Sequence, residues 1–326
     1  MQKLTSSALR VLMLAACAHA AASVSSAQSY PAKPIRVLVG FSAGGSTDVT
    51  ARLVAQKVSD NVGQTVLVEN RPGASGSIAI ERVLAAPADG YTLIMISASA
   101  TVEPALHTKL AYDLQRDLAP ISLVTIGPYV LVVHPSVPAR NVKELIALAR
   151  SRPNSLSYGS DGIGSSLHLA GALLTSMANV KMTHVPYKGG ADNAIANASG
   201  QIDASFPSVA SALPYLASAK IRPLAVTHTR RSSLLPAVPT IDESGLPGYD
   251  RLGWYGLLAP ARVPQDIVTR MSSIIDKAVN TAQMKDLLKR QGLEAQTTTP
   301  EKFAEFIATE LARNAKLVKV AGLVSD

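Results

Sequence analysis

Residues 35–48 read IRVLVGFSAGGSTD, a short apolar segment that runs directly into a loop of glycines and small hydroxyl residues. Branched and apolar residues over 35–39 predict a strand, and apolar residues at helical spacing over 47–58 predict a helix. The loop therefore joins the carboxyl end of a strand to the start of a helix. Open α/β sheets bind their ligands at such strand ends.

Strands and helices alternate along the rest of the chain, which predicts parallel sheets covered by helices. Three predicted strand ends lead through a glycine- and serine-rich loop into a helix, at residues 40–48, 73–77 and 159–166. Glycine lets a ligand approach the backbone, and the first turn of a helix presents unpaired N–H groups to an anion. Helix capping explains any one such loop, whereas three in one chain indicate an anion-binding cleft.

The first 27 residues predict a cleavable export signal. Lys3 and Arg10 precede an apolar run, and small residues precede the predicted cut after Ala27. This signal predicts a periplasmic protein. An alternative for the same segment is a lipid anchor, because the sequence around Cys17 resembles a lipoprotein box. Cys17 is the single cysteine of the chain, so cleavage after Ala27 leaves no disulfide and no thiolate metal site.

Composition excludes several classes of protein. The chain has 326 residues, of which 47% are hydrophobic and 17% charged, as in soluble globular proteins of two ordinary domains. The formal charge of +8 falls to +6 when Lys3 and Arg10 leave with the signal. The positive charges are scattered and aromatic residues are few, which argues against a nucleic-acid surface. No histidine pair has metal-ligand spacing, and no cofactor is predicted.

An enzymatic alternative begins with residues 40–44, which read GFSAG and match the G-x-S-x-G motif of serine hydrolases. Ser42 would be the nucleophile, with Asp203 and His228 as candidate triad partners. The motif comes too early in the chain, since α/β-hydrolases need earlier strands to build the sheet and one oxyanion donor. We therefore rank a secreted serine hydrolase below a binding protein.

Six short motifs together resemble the Bug (TctC-like) family of extracytoplasmic solute receptors for tripartite tricarboxylate transport. The resemblance spans essentially the whole predicted mature chain. The motifs are YPAKPI at 30–35, FSAGGSTD at 41–48, ENRPGA at 69–74, DGYTL at 89–93, GSSLHLA at 164–170 and VPYKG at 185–189.

The resemblance implies a type II periplasmic binding protein fold, in which two α/β lobes joined by two crossover strands close over a ligand. Residues 28–126 plus 257–326 would form lobe 1, and residues 127–256 lobe 2. Ligands of the family are dicarboxylates, tricarboxylates, acidic amino acids and aromatic acids. The implied partners are the membrane subunits of a tripartite transporter or, alternatively, a sensor domain, with the receptor itself a monomer.

The family pattern and the glycine loops together predict the binding residues. Backbone N–H groups of Gly44, Gly45, Gly164 and Ser165 would hold carboxylate oxygens, with small hydroxyls adding contacts. Asp161 departs from what an anion loop requires, because it repels a carboxylate unless it turns outward or binds an amine or hydroxyl of the ligand. The full predicted set is Phe41, Ser42, Ala43, Gly44, Gly45, Thr47, Asp48, Ser97, Ser99, Ser160, Asp161, Gly164, Ser165, Ser166, His168, Tyr187, Lys188, Gly189 and Asp203.

Overall fold

The computed structural model describes residues 30–107 and 109–323. The chain divides into a short N-terminal unit, Met1–Ala32, and a main unit, Lys33–Asp326, which holds all the described strands and helices. The predicted signal and Cys17 lie outside the described residues. None of the described helices combines the length and apolar character that a bilayer span requires.

Strands and helices alternate over most of the main unit. The strands are β1 (Ile35–Val39), β2 (Val66–Asn70), β3 (Thr92–Ser97), β4 (Leu118–Pro128), β5 (Val130–Val133), β6 (Ser157–Ser160), β7 (Thr183–Pro186), β8 (Ala204–Ser205), β9 (Arg222–Val226), β10 (Leu252–Pro260) and β11 (Glu294–Ala295). The helices are α1 (Ser46–Val62), α2 (Ser77–Leu84), α3 (Glu103–Leu106), α4 (Leu114–Asp117), α5 (Val142–Ser151), α6 (Ser166–Ala178), α7 (Gly190–Ala198), α8 (Val209–Ala217), α9 (Gln265–Val279), α10 (Ala282–Arg290) and α11 (Pro300–Val320).

The strands form two sheets. The first has the order β11-β4-β10-β3-β1-β2 and the second β7-β6-β8-β5-β9. Both are mixed rather than parallel, which corrects the expectation from the alternating pattern. In the first sheet β1 pairs in parallel with β2 and β3, while β10 runs antiparallel to β3 and β4. In the second, β6 is parallel to its neighbours and β5 antiparallel to β8 and β9.

Two strands lie where the chain passes between the sheets. β4 ends at Pro128 and β5 begins the second sheet two residues later; the chain returns when β10 begins at Leu252. The sequence pattern does not predict β4, because prolines and buried hydroxyl residues interrupt its apolar run. The predicted lobe boundaries, after residues 126 and 256, fall within β4 and β10. We propose that these two paired strands form the hinge.

Each sheet has its own buried core. Around the first sheet, Ile94, Leu123 and Trp254 pack with Phe303 of α11. Around the second, apolar residues of β5, α5 and α6 pack together. The ring of Phe303 lies across Gly256 of β10, where a Cβ atom would stand only 2.1 Å from the ring. Glycine is therefore required there by close packing.

We expect Gly256→Ala to lower the free energy of unfolding by about 1–3 kcal/mol, because the added methyl overlaps the buried ring of Phe303. Urea denaturation measures the change. Phe303→Leu shortens the opposing side chain and serves as the relief variant. The double variant should lose less stability than the two single losses added together. Strictly additive losses would show that the contact does not limit this position.

Candidate functional site

A small cavity of about 30 Å³ lies between the loops of the two sheets. We call it the central cavity. Loops after β1 and β3 approach it from the first sheet, and loops after β6, β7 and β8 approach it from the second. The residues that line it are Phe41, Gly45, Ser46, Thr47, Ser97, Tyr129, Asp161, Leu167, Gly190, Pro207, Ser208, Ser211 and Tyr255.

Two helix N-termini, one from each sheet, face each other at the central cavity. α1 begins after Gly45 and α7 begins after Gly189, and glycine has no side chain with which to cap a helix. A Cβ atom on Gly45 would lie 3.8 Å from the amide nitrogen of Ala191 and 3.9 Å from that of Gly190. The positive ends of both helix dipoles therefore converge on one point, which favours an anion.

The other two helices that start near the cavity are capped by their own sequences. The hydroxyl of Ser165 accepts from the amide of His168 in α6, and that of Ser208 accepts from the amide of Ser211 in α8. The amide of Ser166 donates to the hydroxyl of Ser99 at 3.0 Å, a bond that joins the two sheets. α1 and α7 therefore offer the helix starts without a side-chain cap.

The first glycine loop is held by the buried carboxylate of Asp48. Its oxygens accept hydrogen bonds from the amide of Gly44, the guanidinium of Arg52 and the side chain of Asn70, at 2.9–3.1 Å. Burial alone would raise the pKa of Asp48, but these hydrogen bonds hold it below its usual value. Asn70 also donates to the carbonyl of Phe41. Asp48 thus fixes the loop conformation.

The backbone donors predicted from the sequence are used within their own loops. The amide of Gly44 donates to Asp48, that of Gly45 to the carbonyl of Ser42, that of Gly164 to Nδ1 of His168, and that of Ser165 to the carbonyl of Gly162. The expectation that these four amides hold a ligand is therefore corrected. The first-turn amides of α1 and α7 take their place as candidate donors.

The second glycine loop rests on a stacked pair of histidines. The rings of His168 and His184 are 3.8 Å apart and nearly parallel. Burial lowers the pKa of His168 to about 4; burial, together with neighbouring His168, lowers that of His184 to about 3. Both rings are neutral at pH 7. Nε2 of His184 lies 2.7 Å from the hydroxyl of Ser160, which also bonds to Gly162. His168 and Ser160 thus support the loop.

Hydroxyl contacts connect the two sheets across the cavity. Ser42 donates to Oδ2 of Asp192 at 2.7 Å, and the hydroxyl of Ser46 lies 2.6 Å from that of Ser208 and 3.1 Å from that of Ser211. These contacts hold the loops of the two sheets together. They also link α1 to α7 and α8.

The residues of the hydrolase alternative have separate partners. Ser42 donates its proton to a carboxylate, whereas a serine nucleophile needs a histidine base. His228 pairs with Asp250 at 2.9 Å. Asp203 accepts from the amide and hydroxyl of Ser157, within the second sheet. The structure does not bring the three together.

The predicted site residues fall into two groups. Phe41, Gly45, Thr47, Ser97 and Asp161 line the central cavity. Most of the others surround it or brace its loops: Tyr187 donates its amide to Ser160, and Gly189 packs on Ser42. Lys188 and Ala43 are exposed. Asp203 is an exception, because it bonds to Ser157 within the second sheet and does not line the cavity. The residues of this second group are Ser42, Ala43, Gly44, Asp48, Ser99, Ser160, Gly164, Ser165, Ser166, His168, Tyr187, Lys188, Gly189 and Asp203.

Sequence reasoning missed two tyrosines at the strands where the chain passes between the sheets. Tyr129, between β4 and β5, and Tyr255, on β10, both line the cavity. Burial raises the pKa of Tyr129 to about 12 and also raises that of Tyr255, so both phenols stay protonated at neutral pH. It also missed Ser46, Ser208 and Ser211. The signal available for Ser208 was its place after Pro207, just before a helical segment.

A buried arginine lies behind the second loop. Arg251, which is 1% exposed, donates from Nη2 to the hydroxyl of Ser166 at 2.9 Å and from Nη1 to Asn314 of α11 at 2.8 Å. Asn314 in turn donates to the hydroxyl of Thr101, in the segment that follows β3 of the first sheet. This network ties the start of α6 to the C-terminal helix.

Solved structures resemble this architecture closely. An R. palustris protein solved with adipate matches with a TM-score of 0.88 and 34% identity, over 91% of this chain and 100% of its own. The periplasmic binding protein BugD matches with a TM-score of 0.87 and 30% identity, over 91% of this chain and 100% of its own. MatC from Rhodopseudomonas palustris, with bound malate, matches with a TM-score of 0.85 and 30% identity, over 89% of this chain and 100% of its own. The predicted periplasmic binding protein fold, with two α/β lobes on either side of a cleft, is confirmed.

Sequence comparisons agree with the structural ones. The Protein BugT of Bordetella pertussis is 34% identical over 299 residues, which cover 91% of this chain and 92% of that protein. A protein encoded in the tcbD-tcbE intergenic region of a Pseudomonas species is 36% identical over 291 residues, which cover 89% of this chain and 87% of that protein. The family model described as the tripartite tricarboxylate transporter family receptor matches residues 50–323. The chain therefore belongs to the TctC family of tripartite tricarboxylate transporter receptors, as the sequence motifs predicted.

Proposed function

We propose that the protein is a periplasmic receptor that binds a small organic carboxylate in the central cavity. After removal of the N-terminal signal it would capture this ligand and deliver it to the membrane subunits of a tripartite transporter. The observation that carries the proposal is the convergence of α1 and α7, one from each lobe, with glycine at both N-caps.

The donors of this site suit a carboxylate. First-turn amides of α1 and α7 point along their helix axes toward the space between Gly45 and Gly190. The hydroxyls of Ser46, Thr47 and Ser208 line the same space. A hydrogen bond to a charged group contributes about 1.5–3 kcal/mol net, so three or four of them suffice for micromolar affinity after the cost of association.

Ligand entry requires the lobes to separate. A cavity of about 30 Å³ holds roughly two water molecules, which is too little for an organic acid to enter while the lobes touch. Opening would break the bonds from Ser42 to Asp192 and from Ser46 to Ser208. We propose that the paired strands β4 and β10 bend during this motion, as in other hinged binding proteins.

Relatives support the choice of ligand class. The R. palustris structure contains adipate and the MatC structure contains malate, and both ligands are dicarboxylates. The membrane partner is inferred from the family to which the chain belongs. Docking of the liganded form on a sensor domain is the alternative. A pull-down with membrane subunits or with a sensor domain, with and without ligand, distinguishes the two.

We expect a carboxylate ligand to raise the thermal stability of the protein. At 100 times its dissociation constant, a ligand that binds only the folded state stabilises it by about 2.7 kcal/mol. A thermal-shift screen over mono-, di- and tricarboxylates measures this effect, with the matching amides or alcohols as uncharged controls. A panel in which no acid shifts the midpoint, or acids and amides shift it equally, contradicts the proposal.

We expect Ser46→Ala to weaken the binding of whichever acid the screen identifies by roughly fivefold. The change removes a cavity hydroxyl and its contacts with Ser208 and Ser211, worth about 1 kcal/mol. Isothermal titration calorimetry gives the dissociation constants. Ser151→Ala is the matched control, because Ser151 is exposed and bonds only within α5. Equal dissociation constants for the two variants would argue that the ligand binds elsewhere.

A further inference from the structure

One carboxylate is set among the anion-binding groups of the central cavity. Among the described residues that line it, Asp161 is the one with a charged side chain. Its Oδ1 atom is buried and has no hydrogen-bond partner in the described part of the chain. The carboxylate does receive the hydroxyl of Ser165, at the start of α6. A buried acceptor of this kind costs free energy unless something donates to it.

No basic side chain among the described residues influences the pKa of Asp161. The buried cation behind the loop, Arg251, is bonded to Ser166 and Asn314. The titratable side chains that face it from the hinge strands are Tyr129 and Tyr255, both protonated and neutral. On α6, His168 is neutral, and the carboxylate of Asp192 on α7 is bonded to Ser42. The basic side chain of Arg52 on α1 is bound to Asp48. Burial accordingly raises the pKa of Asp161 to about 6.

We propose that the ligand carries a protonated amine, which donates to Oδ1 of Asp161 while the helix N-termini receive its carboxylate. This inference rests on the proposed function of the cavity. An ammonium group supplies the missing donor and neutralises the buried charge in one contact. A hydroxyl would donate but leave the charge unbalanced, and a second carboxylate at this position would repel it.

The size of the cavity restricts the ligand further. Asp161, Gly45 and Gly190 line the same space of about 30 Å³. Because the three residues share one small space, we expect the amine and one carboxylate of the ligand to lie close together, as they do in an amino acid. The ligand class is that of amino acids, with the remainder of the molecule extending toward the opening of the cleft.

Matched acids test this inference. Each set shares one carbon skeleton and differs at one substituent: succinate, malate and aspartate; glutarate, 2-hydroxyglutarate and glutamate; propanoate, lactate and alanine; phenylpropanoate, phenyllactate and phenylalanine. Calorimetry at pH 7.5 gives each dissociation constant. In at least one set we expect the amino member to bind tenfold or more tightly than the unsubstituted acid. Asp161→Asn should remove this preference, while the exposed Asp60→Asn on α1 should retain it.

The outcomes separate the two proposals. Binding of unsubstituted acids as tightly as their amino counterparts overturns the role of Asp161 and leaves the carboxylate receptor intact. An amino preference that persists in Asp161→Asn also overturns it. If no acid of any set binds, the role of Asp161 is overturned; if the thermal-shift screen is negative as well, the receptor proposal also fails. Far-ultraviolet circular dichroism and the melting temperature of each ligand-free variant show that it is folded, and Asn preserves the shape of the side chain.

Binding of the amino ligand should also depend on pH. Only ionised Asp161 pairs with an ammonium group, so protonation near pH 6 competes with the ligand. Lowering the pH from 7.5 to 5.5 should weaken binding by about fourfold, from the fraction of Asp161 that is protonated. Asp161→Asn should show no such loss. An affinity that is unchanged or increased at pH 5.5 in the unmodified protein contradicts the inference.

Discussion

The N-termini of α1 and α7 face each other across the cleft with glycine at each N-cap, and the proposed mode of ligand binding depends on this arrangement. Because Gly45 and Gly189 occupy both N-caps, the backbones of α1 and α7 approach closely. A Cβ atom at position 189 would lie 2.5 Å from the hydroxyl oxygen of Ser42, so any side chain there would overlap it. The same absence of side chains leaves the amide donors open to the cavity. The same pair of glycines therefore accounts for the close contact between the loops of the two sheets and for the anion site that we propose.

The polar groups around the cavity serve a different purpose. Asp48 and the histidine pair His168 and His184 are buried and engaged in hydrogen bonds within their loops. They keep each loop in one conformation, so that little reorganisation is needed when a ligand binds. Oδ1 of Asp161 differs from these internally bonded groups, because it is buried without a partner among the described residues, and we propose that a ligand supplies the donor.

Local features of the chain could be predicted from the sequence, whereas contacts between distant segments could not. The strand at 35–39 and the long helix ending at Val320 follow from apolar periodicity and cap residues. β4 was missed because its pairing with β10, distant in sequence, compensates for its prolines. Residues of the glycine loops line the cavity that we propose as the site. Whether the amide of Gly44 is free depends on where Asp48 points, which the sequence does not give. Tyr129 and Tyr255 reach the cavity because the chain passes between the two sheets at these residues.

The order of strands also constrains how the protein is assembled. The second sheet is built from residues 130–226, a continuous segment, whereas the first takes β1–β4 from one end of the chain and β10 and β11 from the other. The second sheet can therefore form within its own segment, whereas the first is complete only when β10 pairs with β3 and β4. In that pairing Met95 lies opposite Leu257, a contact between residues far apart in the chain. Contacts of large sequence separation form slowly, so we expect the first sheet to be completed after the second.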